Sequence, residues 1–237
     1  MHTVEYLQKL KESKELQDIE YALCSHPETG AYYWLTHWAR TLDAHDSVEP
    51  IKVFPDKEYL KIIVNLWVKE TLILAPKSRQ MMMSWLFVSL YLWDTMFHKG
   101  RLNFFQSKKE DDADDLIKRA KFIWDNQPKF LKRYKDEKGN WHELKANPQN
   151  KGLHTYCRLG FPDIYSEIRG IPQGGDVIRM HTASGIMSDE MAFQPEAKSA
   201  FTAAKPTISS SGRFTGVSTA EDNTFFQSLV FDDLEVA

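Results

Sequence analysis

Two adjacent carboxylates, Asp189 and Glu190, close the apolar segment GIMSDE. Such a pair at a strand end suits phosphoryl-transfer chemistry, because the first acid can hold Mg²⁺ through water while the second orients or deprotonates an attacking water. A solvated strand end or a helix cap gives the same pattern, and Ser184 and Ser188 interrupt the apolar run. Taken alone, the pair favours the structural interpretation.

A candidate partner for these acids is the segment LILAPKSRQMMMSW at residues 72–85. An apolar strand runs through a short polar loop into an apolar helix, which is the setting of a phosphate-binding loop of pattern G-x-x-x-x-G-K-[ST]. With Ser84 as the final hydroxyl, Met83 takes the lysine position and Met82 the second glycine position. Lys77 takes the first glycine position, so a lysine is present at the front of the loop instead of near its end.

The charge in this loop suits an anion. A lysine stem is flexible enough to reach a phosphate from either side of a loop, and Arg79 adds a second cation. The helix that begins near Ser84 adds backbone N–H groups and the positive end of its dipole. The alternative is that Met81, Met82 and Met83 simply pack in a core, since a strand, a polar turn and an apolar helix often occur in succession.

A third element, GVSTA, ends a strand further along the chain. Its hydroxyl residues, Ser218 and Thr219, could sense a γ-phosphate and transmit its loss to a neighbouring domain. Hydroxyl residues at a strand end are mostly turn-forming, so this segment gains meaning only beside the other two.

The elements that must position these residues follow from the hydrophobic pattern. From residue 70 onward, short apolar segments alternate with helices, which predicts an open, mostly parallel α/β sheet with ligands at the carboxyl ends of its strands. Strands are predicted in TLILA (71–75), LNFFQS (102–107), DVIRMH (176–181), GIMSDE (185–190) and RFTGVSTA (213–220). Helices are predicted from Ser84 to before Gly100, over KKEDDADDLIKRAKFIWDN and over PEAKSAFTAAK (195–205).

The domain organisation follows from the same pattern. Residues 1–50 are predicted to be an N-terminal helical segment with an aromatic-rich second helix, YYWLTHWARTL. Residues 51–226 form the core, within which 126–168, rich in Pro, Gly, Asn and charge, are predicted to be loops or a small insertion. Residues 227–237, which include FDDLE, are predicted to begin a linker.

The composition limits the class of protein. The chain has 237 residues, of which 42% are hydrophobic and 27% charged, as is typical of globular proteins. A net charge of −3 argues against a uniformly cationic nucleic-acid binder and leaves a regional DNA contact. The two cysteines lack metal-ligand spacing and indicate a reducing, intracellular environment. The N-terminus does not read as a signal peptide and no apolar stretch is long enough to span a bilayer, so a soluble protein is expected.

Taken in order, PKSRQMMMSW, NFFQSKKEDDADDLIKRAKFIWDNQP, GGDVIRMHTASGIMSDEMAF and GRFTGVSTAEDNTFF resemble the ATPase domain of large terminase subunits, the genome-packaging motors of tailed bacteriophages. That family has a deviant phosphate loop, a D-E-x-A-F Walker B segment and an S-T-[PA] coupling motif. The resemblance covers most of residues 50–226. It implies a three-layer, mostly parallel sheet of the P-loop NTPase (ASCE) type, with ATP and Mg²⁺ as cofactors.

The resemblance also implies a role for each matching residue. Glu190 would be the catalytic carboxylate, and Ser84 and Asp189 would hold the metal. Ser218 and Thr219 would couple hydrolysis to movement. ATP would contact the loop residues Lys77, Ser78, Arg79, Gln80, Met81, Met82, Met83 and Ser84, with Arg79 also assisting catalysis.

Two further roles are implied outside the loop. Tyr59 or Phe54, in FPDKEY, would stack on the adenine base. Arg179, or alternatively Arg169, would be an arginine finger inserted into the site of the next subunit, with surface charge or a DNA contact as the alternative role for both.

The resemblance implies an ATP-hydrolysing motor that moves double-stranded DNA into a procapsid. It would act in the host cytoplasm as a homo-oligomeric ring, a monomer in isolation, with the portal, procapsid and small terminase subunit as partners and no membrane. Because Met82 replaces a glycine beside the phosphates, a non-catalytic nucleotide-binding or assembly module is the alternative. A metal nuclease built on Asp189 and Glu190 ranks third, since two-metal chemistry needs more acids than this pair. No nuclease domain is legible after the core, so an isolated motor domain is expected.

Overall fold

The computed structural model describes residues 2–43, 45–79, 81–147 and 154–231. Its strands are β1 (Arg40–Leu42), β2 (Ile51–Val53), β3 (Leu72–Lys77), β4 (Leu102–Gln106), β5 (Arg133–Lys135), β6 (Trp141–Glu143), β7 (Arg158–Phe161), β8 (Ser166–Ile171), β9 (Gly185–Asp189) and β10 (Arg213–Thr219). Its α-helices are α1 (Val4–Glu12), α2 (Lys14–Cys24), α3 (Gly30–His37), α4 (Glu58–Lys69), α5 (Met83–Phe97), α6 (Glu110–Asp125), α7 (Asp176–Arg179), α8 (Ala197–Ser209) and α9 (Phe225–Phe231).

The central feature is a six-stranded sheet in the order β3–β10–β9–β4–β8–β7. Every neighbouring pair in it is parallel except β7 with β8, which is antiparallel. The predicted open, mostly parallel sheet is therefore confirmed. Parallel order brings the carboxyl ends of β3, β10 and β9 side by side at one edge of the sheet.

Helices cover both faces of this sheet. Successive strand residues point to opposite faces, so Phe105 and Met187 join the larger core with α5, α6 and the N-terminal helices. Phe104 and Ile186 join the smaller core on the other face, with α7, α8 and α9. The predicted three-layer architecture follows from this alternation.

Helix α5 is buried on nearly every side, because it lies between the sheet and the N-terminal helices. Its one acidic residue, Asp94, is 5% exposed. Arg101 Nε and Asn103 Nδ2 donate to its carboxylate at 2.8 and 2.9 Å, which offsets the cost of burying the charge. The phosphate-loop segment thus continues into a helix fixed by the core.

Two parts of the sequence fold differently from expectation. The strand predicted over 176–181 is wrong: residues 176–179 form the short helix α7, with Ile178 buried. The sheet strand that precedes β9 is β8, which begins inside the region predicted to be loops. Its Glu167 and Arg169 interrupt the apolar pattern, and they form an ion pair with each other on one face of the strand. That region, 126–168, also contains the β5–β6 hairpin and β7.

The N-terminal segment contains the predicted helices, α1 to α3, and then the first strand of a β1–β2 hairpin. Thr3 and Ser13 cap α1 and α2 by accepting hydrogen bonds from backbone N–H groups. Strand β1 contacts α6, so the hairpin lies near the phosphate-loop end of the sheet. Within the described ranges, no helix combines the length and the apolar character needed to cross a membrane.

The C-terminal end of the described chain is helical. Helix α9 packs against β3 and α8 and covers residues 225–231, where the predicted linker begins. The remaining linker residues, 232–237, lie outside the described residues.

Candidate functional site

The three predicted elements meet at the carboxyl edge of the sheet. In the ladder between β10 and β3, Thr219 lies opposite Lys77, and in the ladder between β10 and β9, Val217 lies opposite Asp189. The end of β10 therefore stands between the loop lysine and the acidic pair. These segments are far apart in the sequence, and the strand order makes them neighbours.

An ion pair joins the loop to the acidic pair. Lys77 Nζ lies 2.8 Å from Glu190 Oε1, with the lysine side chain 10% and the glutamate side chain 38% exposed. A lysine at the front of the loop thus reaches the acidic pair. The two charges satisfy each other.

The backbone at Glu190 is turned sharply. Its φ is 50°, in the left-handed region, which is uncommon for a residue with a side chain. Gln194 holds this turn, because its Nε2 donates to Asp189 O at 2.8 Å and to Ser188 Oγ at 3.1 Å. Gln194 was not predicted from the sequence, since a glutamine shortly after the acidic pair carries no signal of its own.

The other Glu190 oxygen faces Ser218 and Thr219. The Thr219 hydroxyl and N–H lie 3.3 and 3.4 Å from Oε2, and the Ser218 hydroxyl lies at 3.4 Å. Ser218 Oγ also accepts a hydrogen bond from Ala192 N at 3.1 Å. The end of β10 is therefore linked to both the carboxylate and the turn that follows it.

Ser84 and Asp189 form the second pair of the site. The Ser84 hydroxyl lies 2.9 and 3.1 Å from the two carboxylate oxygens. Ser84 stands in the first turn of α5, so the start of an α-helix points its free N–H groups at the same place. A hydroxyl and a carboxylate at this spacing are the protein ligands that a P-loop offers to Mg²⁺.

Electrostatics distinguish the two acids. Burial raises the pKa of Asp189, whose side chain accepts hydrogen bonds from Ser84 and from no other described residue. Burial acts in the same direction on Glu190, but the Lys77 ion pair and the Thr219 hydrogen bonds outweigh it and hold the pKa below its ordinary value. Glu190 is thus stabilised as an ion. Arg119 and Lys77 act on Asp189 only from a distance, and no described cation lies within ion-pair distance of it.

Two cavities open beside these pairs. One, of about 730 Å³, lies between the β1–β2 hairpin and the loop and is lined by residues that include Leu42, Lys52, Met82 and Trp85. The other, of about 570 Å³, contains the acidic pair together with Thr219. Lys77, Ser84 and Arg119 line both cavities, so these three residues mark where the two spaces adjoin.

The three loop methionines have different environments. Met83, at the lysine position, is 4% exposed and packs in the larger core, as the structural interpretation predicted for it. Met82, at the glycine position, is the N-cap of α5 with a φ of 56°, a conformation that glycine adopts without strain. Met81 is 37% exposed. Met82 thus adopts a backbone conformation typical of glycine although it carries a side chain.

The Met82 conformation gives a testable stability difference. We expect the free energy of unfolding of Met82→Gly to exceed that of Met82→Ala by about 1 kcal/mol. Only the alanine variant retains the strain of a left-handed backbone conformation. Helix propensity alone predicts the opposite order. Chemical denaturation of the two variants measures this, and an alanine variant at least as stable as the glycine variant would contradict the strain.

Several predicted site residues lie elsewhere. Tyr59 is 37% exposed on α4 and lines neither cavity, while Phe54 is 3% exposed. Arg179 pairs with Asp176 in its own helix at 2.9 Å, and Arg169 pairs with Glu167.

The remaining loop residues surround the mouth of the site. Ser78 and Arg79 are exposed, and both line a third cavity, of about 660 Å³, beside Thr219. Arg79 also lines the cavity of the acidic pair. Gln80 lies outside the described residues.

Comparisons with known proteins concern the fold. No protein-family profile and no curated protein matches this sequence. Among solved structures, the large terminase ATPase domain of Thermus phage P74-26 matches with a TM-score of 0.50 and 16% identity, over 73% of this chain and 68% of that one. The large terminase of bacteriophage HK97 matches with a TM-score of 0.59 and 11% identity, over 86% of this chain but only 40% of that one. The chain therefore has the fold found in the ATPase part of phage large terminases.

Proposed function

We propose that this chain is an ATP-hydrolysing motor domain that couples Mg-ATP hydrolysis to translocation of double-stranded DNA into a procapsid. One observation carries the proposal: Lys77 pairs with Glu190, and Ser84 pairs with Asp189, at adjoining strand ends. These residues are the phosphate-binding cation, water-orienting acid, metal-binding hydroxyl and metal-binding acid of a P-loop site.

The residues fit a magnesium ion. Mg²⁺ keeps several waters and takes one or two protein oxygens together with substrate phosphates, so Ser84 and Asp189 suffice on the protein side. Asp189 is 8% exposed, and no cation pairs with it among the described residues. A buried carboxylate in that state is stabilised by a metal. When bound, the ion would neutralise charge on the β- and γ-phosphates.

Glu190 suits the role of the residue that orients the attacking water. Its carboxylate is ionised and directed into the cavity of the acidic pair. Binding of the γ-phosphate would draw Lys77 away from Glu190, because a triphosphate offers the lysine a stronger anionic partner. The freed carboxylate oxygen can then accept a proton from water in line with the phosphorus.

Ser218 and Thr219 suit the coupling role. Both contact the carboxylate that changes partner when nucleotide binds, and Ser218 also holds the turn after β9. A shift of Glu190 toward water would remove these contacts and free the end of β10. Hydrolysis would thereby alter the segment that leads to α9.

The DNA-packaging part of the proposal rests on the likeness of the fold to the terminase ATPase parts. Double-stranded DNA, the portal and procapsid and a small terminase subunit are the partners proposed for the assembled ring. Arg179 is the proposed arginine finger: its side chain is 52% exposed and lines none of the cavities of its own site, so it would act on a neighbouring copy.

The nuclease alternative finds less support. Both oxygens of Glu190 already have partners, Lys77 on one side and Thr219 on the other. A second metal would need that carboxylate as a ligand. The non-catalytic alternative makes a different prediction from the motor, namely ATP binding without phosphate release even when a ring is formed on DNA.

Asp189→Asn tests the proposed metal site. Wild type should bind a non-hydrolysable ATP analogue at least 10-fold more tightly with Mg²⁺ than with EDTA, which corresponds to about 1.4 kcal/mol of binding free energy. The asparagine variant should lose this difference. Its free energy of unfolding should equal or exceed that of wild type, because an unpaired buried charge has been removed.

Calorimetric titration and denaturation measure both effects. A variant that keeps the full Mg²⁺ dependence would refute the assigned metal ligand. A wild-type chain that binds no ATP at millimolar concentration would refute the proposed function itself.

A further inference from the structure

We infer that Arg119, on α6, contacts the phosphates of the bound nucleotide and supplies from outside the loop the charge that Met83 does not. The inference rests on the proposed function and adds to it a residue that neither the loop pattern nor the acidic pair includes. In the sequence, Arg119 looks like one of several bases on the solvated side of a helix.

The position of Arg119 is the first observation. It lines the cavity under the β1–β2 hairpin and also the cavity that contains Asp189. A nucleotide that fills both cavities must pass the junction, where Ser84 begins the helix. Because Ser84 stands at this junction and Asp189 lines the second cavity, the phosphates beside the metal, rather than the base, would lie next to Arg119.

The lack of a partner is the second observation. Across the described ranges, no hydrogen bond or ion pair joins the Arg119 guanidinium to another group; its contact is with the Trp85 ring, 5.7 Å from the ring centroid. Asp115, one turn earlier on α6, also lines the acidic-pair cavity, but it forms an ion pair with Lys118 at 2.8 Å. The Arg119 charge acts on Asp189 from a distance and partly offsets the rise that burial causes in the pKa of that carboxyl, but no described carboxylate accepts a hydrogen bond from the guanidinium. A half-buried arginine in this state, beside a cavity, has its donors available for an anionic ligand.

The other cations of the site do not serve this position. Lys52 lines the hairpin cavity alone and pairs with Asp46 at 2.7 Å, and Lys108 lines the acidic-pair cavity alone. Met83 is buried in the core where a phosphate loop has its lysine. Lys77 stands at the front of the loop and pairs with Glu190. Arg79 is exposed and lines no part of the hairpin cavity. Arg119 is therefore the described arginine that borders both spaces, and its planar fork can bind two phosphate oxygens at once.

Binding of a ligand series to the full chain tests the inference. We expect Arg119→Ala to weaken binding of a non-hydrolysable ATP analogue and of inorganic tripolyphosphate by about 10- to 100-fold, the usual range for loss of a charge-assisted hydrogen bond. Adenosine binding should change by less than about twofold, or about 0.4 kcal/mol. Arg119→Lys should recover part of the loss, because it keeps the charge and loses the fork.

Lys69→Ala is the control for loss of a positive charge. It alters an exposed side chain at the end of α4 that lines neither cavity. It should leave binding of all three ligands unchanged, and thermal unfolding of each variant checks the fold.

Two results would overturn the role of Arg119. One is unchanged binding of the ATP analogue and tripolyphosphate by Arg119→Ala. The other is an equal loss for adenosine, which would mean that the residue only supports the hairpin or Trp85. Both differ from failure of the proposed function, in which wild type itself would bind neither the ATP analogue nor tripolyphosphate and both proposals would fall.

Discussion

Glu190→Gln is expected to lower the rate of ATP hydrolysis by about 10²- to 10⁴-fold while ATP binding is retained or improved. Glutamine keeps the shape of the side chain but cannot accept a proton from water. It also releases Lys77 from its 2.8 Å ion pair. Since a half-exposed pair of this kind contributes about 1 kcal/mol at most, ATP affinity should rise by no more than a few fold.

The hydrolysis measurement belongs in the assembled, DNA-bound motor, because the proposed arginine finger comes from a neighbouring copy. Phosphate release is compared between wild type, Glu190→Gln and the control Glu143→Gln, which alters an exposed glutamate on the β5–β6 hairpin. Full DNA-stimulated phosphate release by Glu190→Gln would show that another group activates the water. Failure of the variant to bind ATP would show that the carboxylate is needed for the fold of the site.

Lys77→Ala is expected to have the opposite signature, with loss of binding as the primary effect. The affinity for ATP should fall by about 10- to 100-fold, because a charge-assisted contact to phosphate is removed. The loss should be larger for ATP than for ADP, since Lys77 lies beside the acid proposed to stand at the γ-phosphate. Partial burial then acts on Glu190 without its ion pair, so its pKa should rise.

Titration of ATP and ADP against wild type, Lys77→Ala and Lys77→Arg measures this difference. Lys69→Ala, an exposed lysine at the end of α4, is the control for a simple loss of charge. Equal weakening of ATP and ADP by Lys77→Ala would argue against a contact near the γ-phosphate. Unchanged affinity would mean that the lysine displaced to the front of the loop is not the phosphate-binding cation.

The sheet could be predicted largely from the hydrophobic pattern. The strands that carry the loop, the acidic pair and the coupling hydroxyls were expected at 71–75, 185–190 and 213–220, and they occur as β3, β9 and β10. They could be predicted because strands covered by helices on both faces are mainly apolar. Strand β8 was not predicted, because Glu167 and Arg169 make its sequence look polar. In the folded chain these two residues form an ion pair, which allows them to lie in a strand inside the sheet.

The candidate site was predictable only in part, for a related reason. Lys77, Ser84, Asp189 and Glu190 were recognisable because each belongs to a motif that is local in the chain. Arg119 and Gln194 are not in such motifs, and the hairpin over the loop contains none. Their role depends on contacts between elements far apart in sequence, which periodicity and spacing do not report.

The sequence by itself determined the chemistry available at this site: a displaced lysine and two adjacent acids at the ends of strands, and a hydroxyl at the start of a helix. Tertiary structure decided how they combine. The strand order set β10 between β3 and β9, which paired Lys77 with Glu190 and Ser84 with Asp189. The docking of α6 and of the β1–β2 hairpin placed both elements beside the loop. Strand order and helix docking arise from the burial of many apolar side chains at once, so no single segment encodes them.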